Sequence, residues 1–189
     1  MKEIKNQLRY VLPLWLVSLI TSWLPDNRIV IRIRGFLMGF FLKKCGKNFT
    51  VGRDVTLLNT FNLTVGDNVY LAKGCWLNAM GGLEIEDEVV FGPYVVISTL
   101  QHTFKNKSVK QGGSIAKKVH IKKGSWLAAN SSVKCGVTIG KGNLIAANSF
   151  IVDDTEDNKV LGGVPAKVIK ENVDTNDTNV FYSRNKLNK

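Results

Sequence analysis

The chain has 189 residues, 44% of them hydrophobic, and a formal net charge of +11. That length suits one sizeable core or one repeat array with short appendages, and the apolar content is that of a soluble protein. Three cysteines, Cys45, Cys75 and Cys135, are an odd number without metal-like spacing, which argues against a disulfide framework and for reduced thiols in a cytoplasmic protein.

The first 48 residues read as helical. Leu8, Leu12, Trp15, Leu19 and Trp23 recur at spacings of three and four and define one apolar stripe. Pro13 lacks the amide that a helix interior needs, so it either kinks this helix or begins a second one. Pro25-Asp26-Asn27 reads as a turn with a cap, after which Ile29, Ile33, Phe36, Leu37, Phe40 and Phe41 form a second stripe. Gly35 and Gly39, four apart, leave room for another backbone to approach.

The apolar run Val11–Leu24 is interrupted by Pro13 and is shorter than the roughly 18–20 residues that span a bilayer. No small-residue cleavage site follows it, so it does not read as a signal peptide. The segment is strongly basic, with Lys2, Lys5, Arg9, Arg28, Arg32, Arg34, Lys43, Lys44 and Lys47 against Glu3 and Asp26. Two readings fit residues 1–48. Either the stripes dock on the first repeat or a neighbouring subunit, or a basic, Trp- and Phe-rich amphipathic segment lies on an anionic membrane surface.

From about Val51 an aliphatic or aromatic residue returns every sixth position. Val65, Leu71 and Leu77 keep this step, as do Ile85, Phe91 and Ile97, then Ile121, Leu127 and Val133, then Ile139, Ile145 and Ile151. Neither a helix face nor an alternating strand has a period of six, so this is an internal repeat whose units bury their apolar residue by stacking. Position five is small or apolar (Val69, Cys75, Val89, Ser125, Ser131), as an interior corner requires. Gly, Asn and Asp gather at positions two to four, where the backbone turns. Three hexads make one coil, which gives a triangular parallel β-helix over residues 49–160.

The step fails between Ile97 and Ile121. Val109 and Ile115 stay in phase, so an extra coil fits the spacing, but the basic run Thr103–Lys118 with Gly112-Gly113 favours a projecting loop over 103–118. His102 stands where the coil opens into that loop, a position suited to a base. His120, the other histidine, takes an outward position before Ile121 and reads as solvated. Residues 161–189 leave the hexad pattern and form a cap and a polar tail, with Asn172–Asn179 read as mobile or as an extended wrap.

The hexad array, "STLQHTF" (98–104), "GSWLAAN" (124–130), "GVTIGKGNLIAANS" (136–149) and "GGVPAKVIK" (162–170) resemble the left-handed β-helix, hexapeptide-repeat acyltransferases. Within these they are similar to the maltose, galactoside, xenobiotic and capsule or exopolysaccharide O-acetyltransferase branch. The resemblance covers roughly residues 50–171 and implies a homotrimer with acetyl-CoA in clefts between adjacent prisms. It implies His102 as general base for direct transfer to a hydroxyl. It places Ala128, Ala129, Ala146 and Ala147 along the pantetheine, and Lys167 and Lys170 near the adenosine phosphates. The alanines suit tight coil turns as well. Trp126 matches the family's tryptophan, at the subunit interface or the substrate.

The chain departs from the sugar-acetylating pattern in the coil before the histidine. Ala72, Ala79 and Met80 stand where polar Asn and Asp are usual, leaving Asn78 as the candidate for an acceptor hydrogen bond. Cys75 is an inward fifth-position residue rather than a nucleophile. The expected activity is O-acetylation of a sugar hydroxyl in a cell-surface polysaccharide or its precursor, at the cytoplasmic side of the membrane. N-acetylation of an amino sugar or small xenobiotic acceptor is the enzymatic alternative, and a β-helix scaffold the non-enzymatic one. No metal is expected, because two histidines cannot supply a three-histidine zinc site. Nucleic-acid binding has only charge in its favour.

Overall fold

A computed structural model describes residues 2–173. The chain starts with α1 (Lys2–Asn6), a π-helical turn over Gln7–Val11 and α2 (Leu12–Thr21). The wide turn lies just ahead of Pro13, whose ring would crowd the carbonyl four residues back in a regular helix. Pro13 is therefore absorbed at the start of α2. Asn27 caps α3 (Arg28–Gly39), its Oδ1 accepting from the amides of Ile29 and Val30 at 3.0 and 2.9 Å.

The coils follow. The first has β1 (Lys44–Cys45), β2 (Thr50–Val51) and β3 (Thr56–Leu58); the second has β4 (Leu63–Val65), β5 (Tyr70–Leu71) and β6 (Trp76–Asn78). The third has β7 (Leu83–Ile85), β8 (Val90–Phe91) and β9 (Val96–Ser98), and is followed by a hairpin of β10 (Leu100–His102) and β11 (Ser114–Ala116). The fourth has β12 (Val119–Ile121), β13 (Trp126–Leu127) and β14 (Ser132–Val133), and the fifth β15 (Thr138–Ile139), β16 (Leu144–Ile145) and β17 (Phe150–Ile151). An antiparallel pair, β18 (Lys159–Gly163) and β19 (Ala166–Glu171), closes the described chain. Lys44–Cys45 already sits in the first coil, inside the stretch that reads as helical from the sequence. Most of the polar run Asn172–Asn179 lies outside the described residues.

Strands of the same rank pair in parallel and form three faces of a prism. The first-position residues stack into three inward columns. Cys45, Val65, Ile85, Ile121 and Ile139 form the first, and Val51, Leu71, Phe91, Leu127, Ile145 and Leu161 the second. Leu57, Leu77, Ile97, Val133 and Ile151 form the third. Burying each such side chain stabilises the prism by about 1.5–3 kcal/mol. The fifth-position residues Val69, Cys75, Val89, Ser125, Ser131 and Ser149 are buried too. Position four carries the left-handed turn: Asn68, Gly74, Glu88, Tyr94, Gly124, Asn130, Gly136, Gly142 and Asn148 all have positive φ. This explains the Gly/Asn bias there.

Most of the N-terminal stripe residues do not dock on the coils of this chain, Phe41, packed against the core, being the exception. Leu8 is 62% exposed, Trp23 75% and Phe36 65%, and Trp15, Leu19, Ile29 and Phe40 are also outward. The helices instead meet the first coil through Leu14, Thr21, Arg34, Gly35 and Met38. Arg34 is 2% exposed. It donates to Asp26 (2.9 Å), to Thr21 Oγ1 (3.1 Å), and to the carbonyls of Thr21 (3.0 Å) and Val51 (2.9 Å). A buried guanidinium with its donors engaged ties helix pair and coil together. Gly35 allows the contact, since a Cβ there would lie 2.1 Å from the Phe49 carbonyl oxygen.

Candidate active site

β10 and β11 leave the prism at the corner between the third and first faces. Ile85 and Ile121 are direct neighbours in the first face, so no extra coil lies between them and residues 100–116 project as a hairpin. Its root is tied to the prism. Ser98 Oγ donates to the Leu100 carbonyl at 2.7 Å, the Lys117 amide to the Thr99 carbonyl at 2.9 Å, and the Cys135 thiol to Gln101 Oε1 at 3.0 Å. Farther out, Gly113 donates to Thr103 Oγ1 at 2.8 Å. Gly112 is required, because a Cβ would meet the Thr103 carbonyl oxygen at 1.9 Å.

His102 ends β10, exposed, opposite Ser114, with Nδ1 3.3 Å from Ser114 Oγ. When Nδ1–H donates to the hydroxyl, Nε2 is the nitrogen that keeps its lone pair. Ser114 is thus the side chain that contacts the imidazole, a partner the sequence leaves unidentified. Asn78 belongs to the same corner, in register with Ser98, four residues ahead of His102. Its Oδ1 is engaged by Asn59 Nδ2 at 2.8 Å and the Met80 amide at 3.1 Å, and its amide nitrogen has no partner among the described residues.

The remaining candidates lie elsewhere. Ala128 and Ala146 stack in successive coils at the corner between the second and third faces, with Ala129 and Ala147 beside them. They continue a column of small residues that runs from Gly52 through Ala72 and Gly92 to Gly162. Coil stacking demands that smallness, since a Cβ on Gly92 would sit 2.7 Å from the Ala129 amide. Lys167, exposed, pairs with Gly162 at the end of the column, and Lys170, also exposed, pairs with Val160. Trp126 is half-exposed on the second face. One chain therefore places His102 and Asn78 at the same prism corner and holds the alanines, Trp126 and the two lysines one prism face away.

One reading is corrected. His120 faces outward but is not simply solvated: Nε2 is 2.8 Å from Glu86 Oε1, and Glu86 Oε2 accepts the Lys123 amide at 2.9 Å. Cys75 is fully buried with its thiol donating to the Gly92 carbonyl, and burial pushes its pKa up to about 11, which leaves it inert.

No family model matches the chain. The putative colanic acid biosynthesis acetyltransferase WcaF of Escherichia coli is 32% identical over 165 residues, covering 85% of this chain and 86% of that protein. The galactoside O-acetyltransferase of Lactococcus lactis is 31% identical over 148 residues, 78% of this chain and 64% of the relative. A hexapeptide-repeat acetyltransferase from Vibrio cholerae, solved with acetyl-CoA, superposes with a TM-score of 0.75 at 21% identity over 86% of both chains, which shows a shared fold. The chain belongs to the hexapeptide-repeat, left-handed β-helix acetyltransferases, the acetyl-CoA-dependent family that includes the galactoside, maltose and colanic acid enzymes.

Proposed function

We propose that this enzyme transfers acetyl from acetyl-CoA to a sugar hydroxyl of a cell-surface polysaccharide or its lipid-linked precursor, with His102 as general base. The observation that carries the reading is the tethered hairpin that aims an exposed imidazole, backed by Ser114, out of an otherwise closed prism. Nε2 takes the proton as the acceptor oxygen attacks the thioester carbonyl carbon. The new C–O bond forms, the C–S bond breaks, and the CoA thiolate recovers the proton from the imidazolium. Asn78 offers its unpartnered amide to the acceptor.

The donor lies along the small-residue corner, against Ala128, Ala129, Ala146 and Ala147, with Lys167 and Lys170 toward its phosphates. Compact ammonium groups suit phosphate without demanding bidentate geometry. Because His102 and this corner are one prism face apart in a single chain, the complete site needs a second copy. A homotrimer, with one chain's His102 corner against its neighbour's alanine corner and Trp126 at the contact, supplies it.

The N-terminal helices hold the enzyme on anionic lipid. Their outward Trp15, Trp23, Phe36 and Phe40 lie on a strongly basic segment, and no helix among the described residues is long and apolar enough to cross a membrane. The functional reading is tested by incubating the protein with acetyl-CoA and a panel of free, polymeric and lipid-linked sugars, followed by mass spectrometry. An ester-linked acetyl sugar is expected. An amide product, or no transfer to any sugar, would overturn it.

A further inference from the structure

A cavity of about 1040 Å³ lies between the N-terminal helices and the first coil. Its volume is at the upper end of small-molecule sites. Val11, Leu14 and Trp15 form one wall, and Leu57, Leu58 and Phe61 the other. Val11 and Trp15 also belong to the outward apolar face, so the cavity opens onto the side assigned above to the membrane. The charged side chains of the coil and α3 that border it are paired: Arg34 with Asp26, and Asp54 with Arg53 and Lys73.

Met80 lines this cavity and also a smaller polar groove of about 320 Å³ that contains Lys43, Glu84 and Lys118. Glu84 is ion-paired to Lys118, which holds its carboxyl below the usual value, so the groove keeps one positive charge in excess. Thr60 lies between the two. It lines the cavity, and its carbonyl accepts the amide of Lys43, a groove residue. It is 1% exposed, and its hydroxyl is the one buried side-chain polar atom without a partner among the described residues. An orphaned buried hydroxyl is destabilising, a cost that a ligand oxygen would relieve.

We propose that cavity and groove form one site for an amphiphile, a long-chain phosphate-linked sugar. The hydrocarbon occupies the apolar cavity, and the phosphate lies at Thr60, Lys43 and Lys118. The sugar then reaches toward His102. Lys118 follows β11 closely, four residues beyond the partner of His102, so the path along extended chain is about 13 Å. A phosphate and one or two sugar rings bridge such a span. Hydrogen bonds pave the way: Asn59 to Asn78, Thr99 Oγ1 to the Asn78 carbonyl, and the Gly81 amide to Thr99 Oγ1. The outward Met80 fits the junction between chain and head.

This inference rests on the acetyl-transfer reading for the sugar but not for the chain, and binding tests it separately. The probe is farnesyl phosphate at monomeric concentration, without vesicles, read by tryptophan fluorescence from Trp15 in the cavity wall. Saturable binding is expected, tighter than that of farnesol and much tighter than that of inorganic phosphate. Leu58→Asp and Val11→Asp, each placing a carboxylate in the wall at a partly exposed position, should weaken it by about tenfold or more. Lys43→Ala should weaken farnesyl phosphate and leave farnesol unchanged, and His102→Ala should bind as the wild type does. Circular dichroism checks the fold of every variant. Binding that is absent, indifferent to both wall carboxylates, or equal for farnesol and its phosphate would overturn the proposal. Intact binding with no acetyl transfer to any sugar would remove the functional reading and leave this site standing.

Discussion

The coils and the N-terminal helices use similar apolar residues to opposite ends. In the coils every first-position side chain points inward and meets its counterparts above and below. In the helices most of the stripe points outward, and Leu14 and Met38 make the attachment with a buried arginine, a glycine and a threonine. A repeat partners its own residues, whereas an amphipathic helix specifies a face without specifying what covers it. The contrast also separates two regions, a closed prism with its apolar residues inside and a basic helical segment with most of its apolar residues outside.

The widest expected gap comes from deleting an aromatic ring in each region. Phe91→Ala should cost about 3–5 kcal/mol in urea unfolding, while Phe36→Ala should change stability by within about 0.5 kcal/mol. Similar losses at both positions would break the comparison. Glycine substitution comes next. Gly35→Ala drives a Cβ into the Phe49 carbonyl and should raise amide exchange across Arg28–Gly39 while the coils stay protected, at a cost of about 1–3 kcal/mol. Gly124→Ala has open space around it and should cost only its positive φ, about 1 kcal/mol.

A smaller effect on stability but a clear one on location is expected from Phe36→Ser with Phe40→Ser. Sedimentation with vesicles containing phosphatidylglycerol should fall sharply, with the unfolding midpoint nearly unchanged. Retention on the vesicles would return these side chains to a subunit contact. The smallest effect concerns Cys75. The folded state keeps its thiol protonated up to about pH 11, against an ordinary value of 9.0. Its contribution to stability is therefore complete below pH 9 and fades as pH climbs toward 11. Iodoacetamide at pH 8 should label Cys75 only after unfolding.

Much of this was legible in the sequence because a six-residue period carries its own orientation. Val65, Leu71 and Leu77 point inward whatever else the chain does. The helix stripes carried no such information, since their direction follows from where Arg34 finds carbonyls and a carboxylate. The place of His102 at the root of a projecting segment was legible from the break in the repeat, but its contact with Ser114 was not. The outer bridge Lys105–Ser108, counted inward, would set His102 against Gln111. Three further residues, folded back through Val109–Gly113, move the register to Ser114. Thr60 stayed hidden for a related reason: an orphaned hydroxyl is a property of packing, not of pattern.

Steady-state kinetics of His102→Ala, measured alongside Ser114→Ala on a folded protein with acetyl-CoA and its best sugar acceptor, address the mechanism most directly. The account predicts a fall in kcat of about 10²–10⁴-fold for His102→Ala, with KM for acetyl-CoA little changed, and a smaller fall for Ser114→Ala. An unchanged kcat in His102→Ala would contradict it.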